Sequence, residues 1–282
     1  MHDIPALAAR MTLPDEAVRK QAIAALEHTS GAYGRLGDLA IWLAAVQGQW
    51  PPEPITRPVL ILVGDGAPPA PLVELAAAHL RSIPDDDVPA GVGEALARGS
   101  EIASAEIDAG ADLVLLASSA DPLPAIAATA VLTNSEVAAM IGHGPGLTDR
   151  DWMRACASVR DAARGARPYA GKIFEMLDAL ASPSLAAAAG ILTEASARRT
   201  GVVLDDVVAA AAGLIGQRIS YRTARWCSAA QRSPDPAYGA ALERLRLTPV
   251  VDYGMAGGSG DRTGVGALLA LNQLRAVPAL FR

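Results

Sequence analysis

The chain has 282 residues, enough to bury a large core as one big domain or as one domain with a small appendage. It is 51% hydrophobic, only 4% aromatic and rich in alanine, a composition that suits close helix packing better than a β-sandwich. A net charge of −6 with no basic run argues against nucleic acid as a partner.

In chain order, Pro14-Asp15-Glu16 opens a helix reaching about Glu27, and a second helix runs from about Tyr33 to Gln47. In the second, Leu36, Leu39, Ala40, Leu43 and Ala44 share one face at helical spacing, with Trp42 expected in the core. Residues 49–58 hold four prolines and read as a linker. Residues 59–63 are a continuous β-branched and leucine run, the pattern of a strand buried on both faces. That strand ends in Gly64-Asp65-Gly66, a loop at a strand's carboxyl end. Helices are expected over 71–81 and 92–109, separated by the acidic turn Asp85-Asp86-Asp87.

The second half alternates in the same way. Residues 112–117 read as a strand followed by a short helix, and 137–141 as another strand. Gly142-His143-Gly144-Pro145-Gly146 makes a further glycine loop, and Thr148-Asp149 caps a helix to about Arg164. A helical stretch over 172–199 leads to a strand at 201–204 closed by Asp205-Asp206, then a helix to Gly216. Another strand near 226–229 ends at Gln231-Arg232-Ser233, and a helix covers 236–245. Last come a strand at 248–252, the loop Gly257-Gly258-Ser259-Gly260-Asp261-Arg262-Thr263-Gly264, and an apolar helix over 265–274.

Strands alternating with helices give an α/β fold, a three-layer Rossmann-like parallel sheet of about six strands with helices on both faces. Residues 1–50 are expected as an N-terminal helical subdomain, and 51–282 as the α/β domain with its C-terminal glycine-rich loop and helix. Ligands bind beyond the carboxyl ends of strands in open α/β sheets, and loop amides ahead of a helix can hold an anion. Only Lys20 and Lys172 among the 24 basic residues are lysines, so a phosphate would be met by arginine or by amides. Cys156 and Cys227 lie far apart and read as two reduced core thiols. No signal peptide opens the chain, and the longest apolar run, 113–132, is broken by Asp121, Pro122 and Pro124, which argues against a membrane span. A cytoplasmic protein is expected. His2, His28 and His79 show no metal-like spacing and no Walker pattern is present, so neither metal nor cofactor is expected.

Several of these segments carry a resemblance. Tyr33-Gly34-Arg35-Leu36-Gly37-Asp38-Leu39-Ala40-Ile41-Trp42-Leu43-Ala44 followed by Val46-Gln47-Gly48 resembles the N-terminal signature of the nicotinate-nucleotide–dimethylbenzimidazole phosphoribosyltransferase (CobT) family. Gly64-Asp65-Gly66 is similar to the family's Gly-Asp-His-Gly loop without the histidine, and 142–149 to its Gly-x-Gly-Thr-Gly-Leu-Asp-Asp segment. Residues 106–113 resemble the family pattern that precedes its Glu-Met-Gly-Ile-Gly-Asn-Thr-Thr loop. Val202-Val203-Leu204-Asp205 resembles Leu-Leu-Leu-Asp-Gly, and 231–236 resembles His-Arg-Ser-x-Glu-Pro. The likeness covers most of residues 15–275 in one collinear order.

The resemblance implies phosphoribosyl transfer, in which a carboxylate deprotonates an imidazole-type base that then attacks C1′ of nicotinate mononucleotide and displaces nicotinate. It also implies a homodimer with the N-terminal helices near the partner subunit. The departures fall on the chemistry. Ser259 stands where the family's Leu-Gly-Glu-Gly-Thr-Gly motif has its catalytic glutamate, with two residues inserted. Asp261 is either a substitute base or a helix N-cap. Ser118-Ser119-Ala120-Asp121-Pro122-Leu123-Pro124 replaces the phosphate loop, the family's following lysine is Ala155 here, and the chain after Gly66 is shorter.

The candidate catalytic residues are therefore Asp261 and Ser259. The candidate substrate-binding residues are Asp65, Gly142, His143, Gly144, Gly146, Asp205, Arg232, Ser233, Gly258, Gly260, Arg262 and Thr263. The expected ligand is a small nucleotide or aromatic base, with the chain as a homodimer or as a heterodimer with an active relative. The reading is a divergent homologue lacking the parent reaction and serving as a nucleotide- or base-binding or partner subunit linked to cobamide lower-ligand metabolism. The alternative is an active phosphoribosyl or glycosyl transferase on a different aromatic base, using Asp261 or His143.

Overall fold

A computed structural model describes residues 8–27, 32–143, 148–255 and 262–281. Six parallel strands form one sheet: β1 (Pro58–Val63), β2 (His79–Ile83), β3 (Leu113–Ser118), β4 (Gly201–Leu204), β5 (Cys227–Gln231) and β6 (Pro249–Val251). Their spatial order is β2-β1-β3-β4-β5-β6, so the direction of winding reverses between β1 and β3. The helices are α1 (Glu16–Glu27), α2 (Arg35–Gln47), α3 (Ala70–Leu75), α4 (Val92–Asp108), α5 (Leu123–Thr133) and α6 (Asp149–Ala166). They continue with α7 (Ile173–Leu180), α8 (Pro183–Ala197), α9 (Val207–Ile219), α10 (Pro236–Leu245) and α11 (Val265–Leu280).

The layers follow from side-chain alternation along the strands. Val59, Ile61 and Val63 of β1, with Val114, Leu116, Val202 and Leu204, face a core closed by α4 to α10. Leu60, Leu115, Ala117 and Val203 face the other way, toward a smaller cluster made with α2, α3 and α11. Because β1, β3, β4 and β5 are buried along their whole length, they read in sequence as apolar or small runs, broken only by Gln231 at the end of β5.

The alanine-rich composition has a structural consequence on the larger face. Helices α4 and α8 cross so closely that a Cβ added at Gly99 would lie 2.0 Å from the Ala187 carbonyl oxygen. One added at Gly190 would lie 2.0 Å from that of Leu96. The Ser100 hydroxyl bridges the contact by donating toward the carbonyls of Leu96 and Gly190.

Two element assignments are corrected. Residues 79–81, expected as the end of a helix, belong instead to the edge strand β2, while the preceding helix stops at Leu75. Only Ile83 of that strand is buried. Its remaining residues are polar or partly exposed, and His79 and Arg81 pair with Glu106 at 3.6 and 3.8 Å, so no apolar run marks it. Residues 137–141, expected as a strand, form a 3-10 turn over Val137–Met140 that packs against the outer helices. A short apolar run does not distinguish a buried strand from a buried helical turn. The strand count of six holds, with β2 in place of 137–141.

Candidate functional site

The parallel sheet brings its strand ends to one edge, and each end is held by a local device. At the reversal point, the Ser119 amide donates to the Val63 carbonyl and the Ser119 hydroxyl accepts from the Gly66 amide at 2.7 Å. The Ser118 hydroxyl donates to the same Val63 carbonyl at 2.9 Å. Asp206 joins β3 to β4. Its Oδ2 accepts from the Ser118 amide at 2.5 Å, and its Oδ1 accepts from Val208 and Ala209 as the N-cap of α9. Tyr238 reaches across from α10 and donates to the Leu204 carbonyl at 3.0 Å.

Asp205 lies at the centre of this edge, 1% exposed. Its Oδ2 accepts from the Gly264 amide at 3.0 Å, so β4 holds the start of α11. Burial is the largest cause that pushes its carboxyl up to about 8, and neighbouring Asp206 adds to it; the Ala267 and Gly264 amides oppose the rise. Asp206 is also pushed up by burial, to about 6, against the pull of its three amide donors. Oδ1 of Asp205, Oε1 of Gln231 and Oγ1 of Thr263 are buried with no hydrogen-bond partner among the described residues. Gly266 keeps this cluster together: a Cβ there would stand 2.5 Å from Asp205 Oδ1 and 2.6 Å from the Gln231 amide. The edge thus presents a buried carboxyl whose charged form is disfavoured, a buried carboxamide and a buried hydroxyl, beside the amide-bound carboxylate of Asp206.

The remaining sequence candidates occupy varied places. Thr263 joins the Asp205 cluster. Asp65 is exposed and accepts from the Asp85 amide, bracing the turn after β2. Arg232 is paired with Asp252 at 2.9 Å on the surface, and the Ser233 hydroxyl accepts from the Asp235 amide in a local turn. Arg262 is exposed and is not free. His143, expected at a strand end, instead follows the Val137–Met140 turn and stacks on Trp152 with ring centres 4.6 Å apart. Gly142 lies beside Pro236, at the start of α10. Gly144, Gly146, Gly258, Ser259, Gly260 and Asp261 lie outside the described residues.

At the opening of α5, Asp121 Oδ1 accepts the Leu123 amide at 3.0 Å. Pro122 and Pro124 contribute no amide. A cavity of about 690 Å³ opens elsewhere, between the Val137–Met140 turn and α6, lined by residues such as Cys156, Arg160 and Arg164 rather than by strand ends. Among the described residues, no cluster of histidine, cysteine or acidic side chains could hold a metal.

Residues 89–282 match the model of a phosphoribosyltransferase family (DBI_PRT). A nicotinate-nucleotide–dimethylbenzimidazole phosphoribosyltransferase of Streptomyces avermitilis is 34% identical over 95% of this chain and 87% of its own length. One from Mycobacterium ulcerans is 33% identical over 96% and 91%. The chain belongs to the nicotinate-nucleotide–dimethylbenzimidazole phosphoribosyltransferase family. The alignment with the Streptomyces protein runs over 329 positions, more than this chain possesses, so that relative has segments with no counterpart here. The crystal structure of the family protein from Thermus thermophilus superposes with a TM-score of 0.80 at 22% identity, covering 95% of this chain and 96% of that one. A second structure, of CobT from the same organism, gives 0.78 over 99% and 94%. Both show the same fold.

Gln231 and Gly266 are members of the Asp205 cluster that the sequence pattern did not single out. Gln231 directly precedes Arg232 at the end of β5, and that adjacency was the available signal. Gly266 is already inside α11, where a glycine gives no sign of its tertiary contact.

Proposed function

We propose that this chain is a divergent member of its phosphoribosyltransferase family that binds a nucleotide or aromatic base at the carboxyl edge of its sheet without carrying out the parent exchange by itself. It then serves as a binding or partner subunit linked to cobamide lower-ligand metabolism. The opening of α5 carries this reading. A transferred phosphoribose needs amides or cations for its phosphate, yet an aspartate and two prolines occupy that helix start. Ser259 at the family's glutamate position agrees with it, because a serine hydroxyl is not a base near neutral pH without a partner. The unpartnered polar atoms of Asp205, Gln231 and Thr263 favour a retained ligand, since buried polar groups ordinarily find partners.

We read the chain as cytoplasmic, with Cys156 and Cys227 as free thiols, and as a homodimer or a heterodimer with an active family member. No helix among the described residues is long and apolar enough to cross a membrane.

The test incubates purified protein with nicotinate mononucleotide and a panel of benzimidazoles, purines and phenols, reading heat of binding and nicotinate release from the same samples. Saturable binding without release is expected, with affinity falling about tenfold in Gln231→Leu, the scale of one lost hydrogen bond to a buried group. Nicotinate release that disappears in Asp261→Asn would overturn the proposal in favour of an active transferase on another base.

A further inference from the structure

At the opposite edge of the sheet, where β5 begins, a separate pocket of about 260 Å³ lies among α1, α2, the start of β5 and the turn after α10. Four arginines line it: Arg19, Arg35, Arg225 and Arg246. The acids lining it are Glu16, 3.9 Å from Arg19, and Asp38, 3.5 Å from Arg35. Arg225 and Arg246 have no side-chain hydrogen bond or ion pair among the described residues. In a chain of net charge −6, the pocket thus concentrates a surplus of two positive charges.

Two buried donors give a second indication. The indole Nε1 of Trp42 and the Nε of Arg35 both belong to lining residues, are buried, and have no acceptor. The Arg35 guanidinium is held in place by donating to the Thr248 carbonyl, so its Nε is fixed rather than free to swing into water. Buried N–H groups without acceptors are rare in folded proteins, and two in one pocket beside two unpaired guanidiniums form a donor-rich, acceptor-poor enclosure. The complementary ligand is a compact oxyanion.

We propose that this amino-edge pocket is a binding site for a small dianionic oxyanion of the phosphate or phosphate-monoester class, separate from the carboxyl-edge crevice. The charge surplus selects a dianion over a monocarboxylate, and the volume holds a phosphate group with a small substituent. The site is independent of whether the chain catalyses the family reaction.

Because Trp42 lines the pocket, its fluorescence reports occupancy. Titration of the full chain with inorganic phosphate, at fixed ionic strength, should give a saturable change in tryptophan emission. Nicotinate, an aromatic monocarboxylate, should bind at least tenfold more weakly. The double variant Arg225→Ala/Arg246→Asn removes both rim charges, and asparagine suits the left-handed backbone at position 246 (φ 59°). It should raise the phosphate Kd at least tenfold with an unchanged melting temperature, and Trp42→Phe should abolish the optical signal while calorimetry still detects binding. Arg246→Glu, a single exposed change, provides a second variant with the same expected loss. No saturable phosphate binding would overturn the proposal, as would an unaltered Kd in the double variant or in Arg246→Glu. Nicotinate binding as tightly as phosphate would overturn the dianion assignment.

Discussion

Asp205 shows how one side chain connects fold to chemistry. A carboxyl raised by burial to about 8 holds a proton in the folded chain that the unfolded chain releases near its ordinary value of 3.8. Between those values the folded state binds more protons, so this group lowers stability as pH rises from about 4 to about 8, beyond which the penalty is constant. Asp206, raised to about 6, acts in the same direction over a narrower window. Asp205→Asn keeps the shape and an acceptor for Gly264 while removing the titration. It should raise the melting temperature more at pH 8.5 than at pH 5, and scanning calorimetry across that range checks this. Gly266→Ala should destabilise by about 1–3 kcal/mol, the usual cost of overpacking, because its Cβ would intrude on Asp205 and Gln231; denaturant unfolding reads it. Asp205 and Thr263 were legible in sequence, since one closes an apolar strand and the other precedes a helix. His143 was misplaced because its position depended on a strand that is a turn, and its partner Trp152 is a tertiary neighbour that spacing does not reveal.

At the scale of elements, the buried strands and the amphipathic helices were readable because burial writes itself as pattern. Strand β2 was not, since its pairing with β1 is satisfied by backbone groups while its side chains stay polar and partly exposed. The α4–α8 crossing is likewise invisible locally: Gly99 and Gly190 look like weak points in two helices until the partner backbone is seen. Gly99→Ala should therefore destabilise by about 1–3 kcal/mol or more, where an exposed helical glycine would gain from the same change. A lowered denaturation midpoint with unchanged slope is the expected record. The α5 opening is the element-scale counterpart of the functional reading, because Asp121 takes the Leu123 amide and two prolines there supply none.

For the whole molecule, the sheet and its two helical layers keep the family architecture. The carboxyl edge offers buried hydrogen-bonding groups around Asp205, and its Arg232 is already engaged with Asp252. We propose that these groups are what holds a ligand at this edge. On the reading we propose, the phosphate cradle and the proton acceptor that the transfer needs are the parts that differ. The most direct measurement follows α-ribazole phosphate by mass spectrometry after prolonged incubation of this chain alone with nicotinate mononucleotide and 5,6-dimethylbenzimidazole, beside an active family enzyme under identical conditions. The account predicts product from the active enzyme and none above the protein-free background from this chain; steady product formation by this chain alone would contradict it.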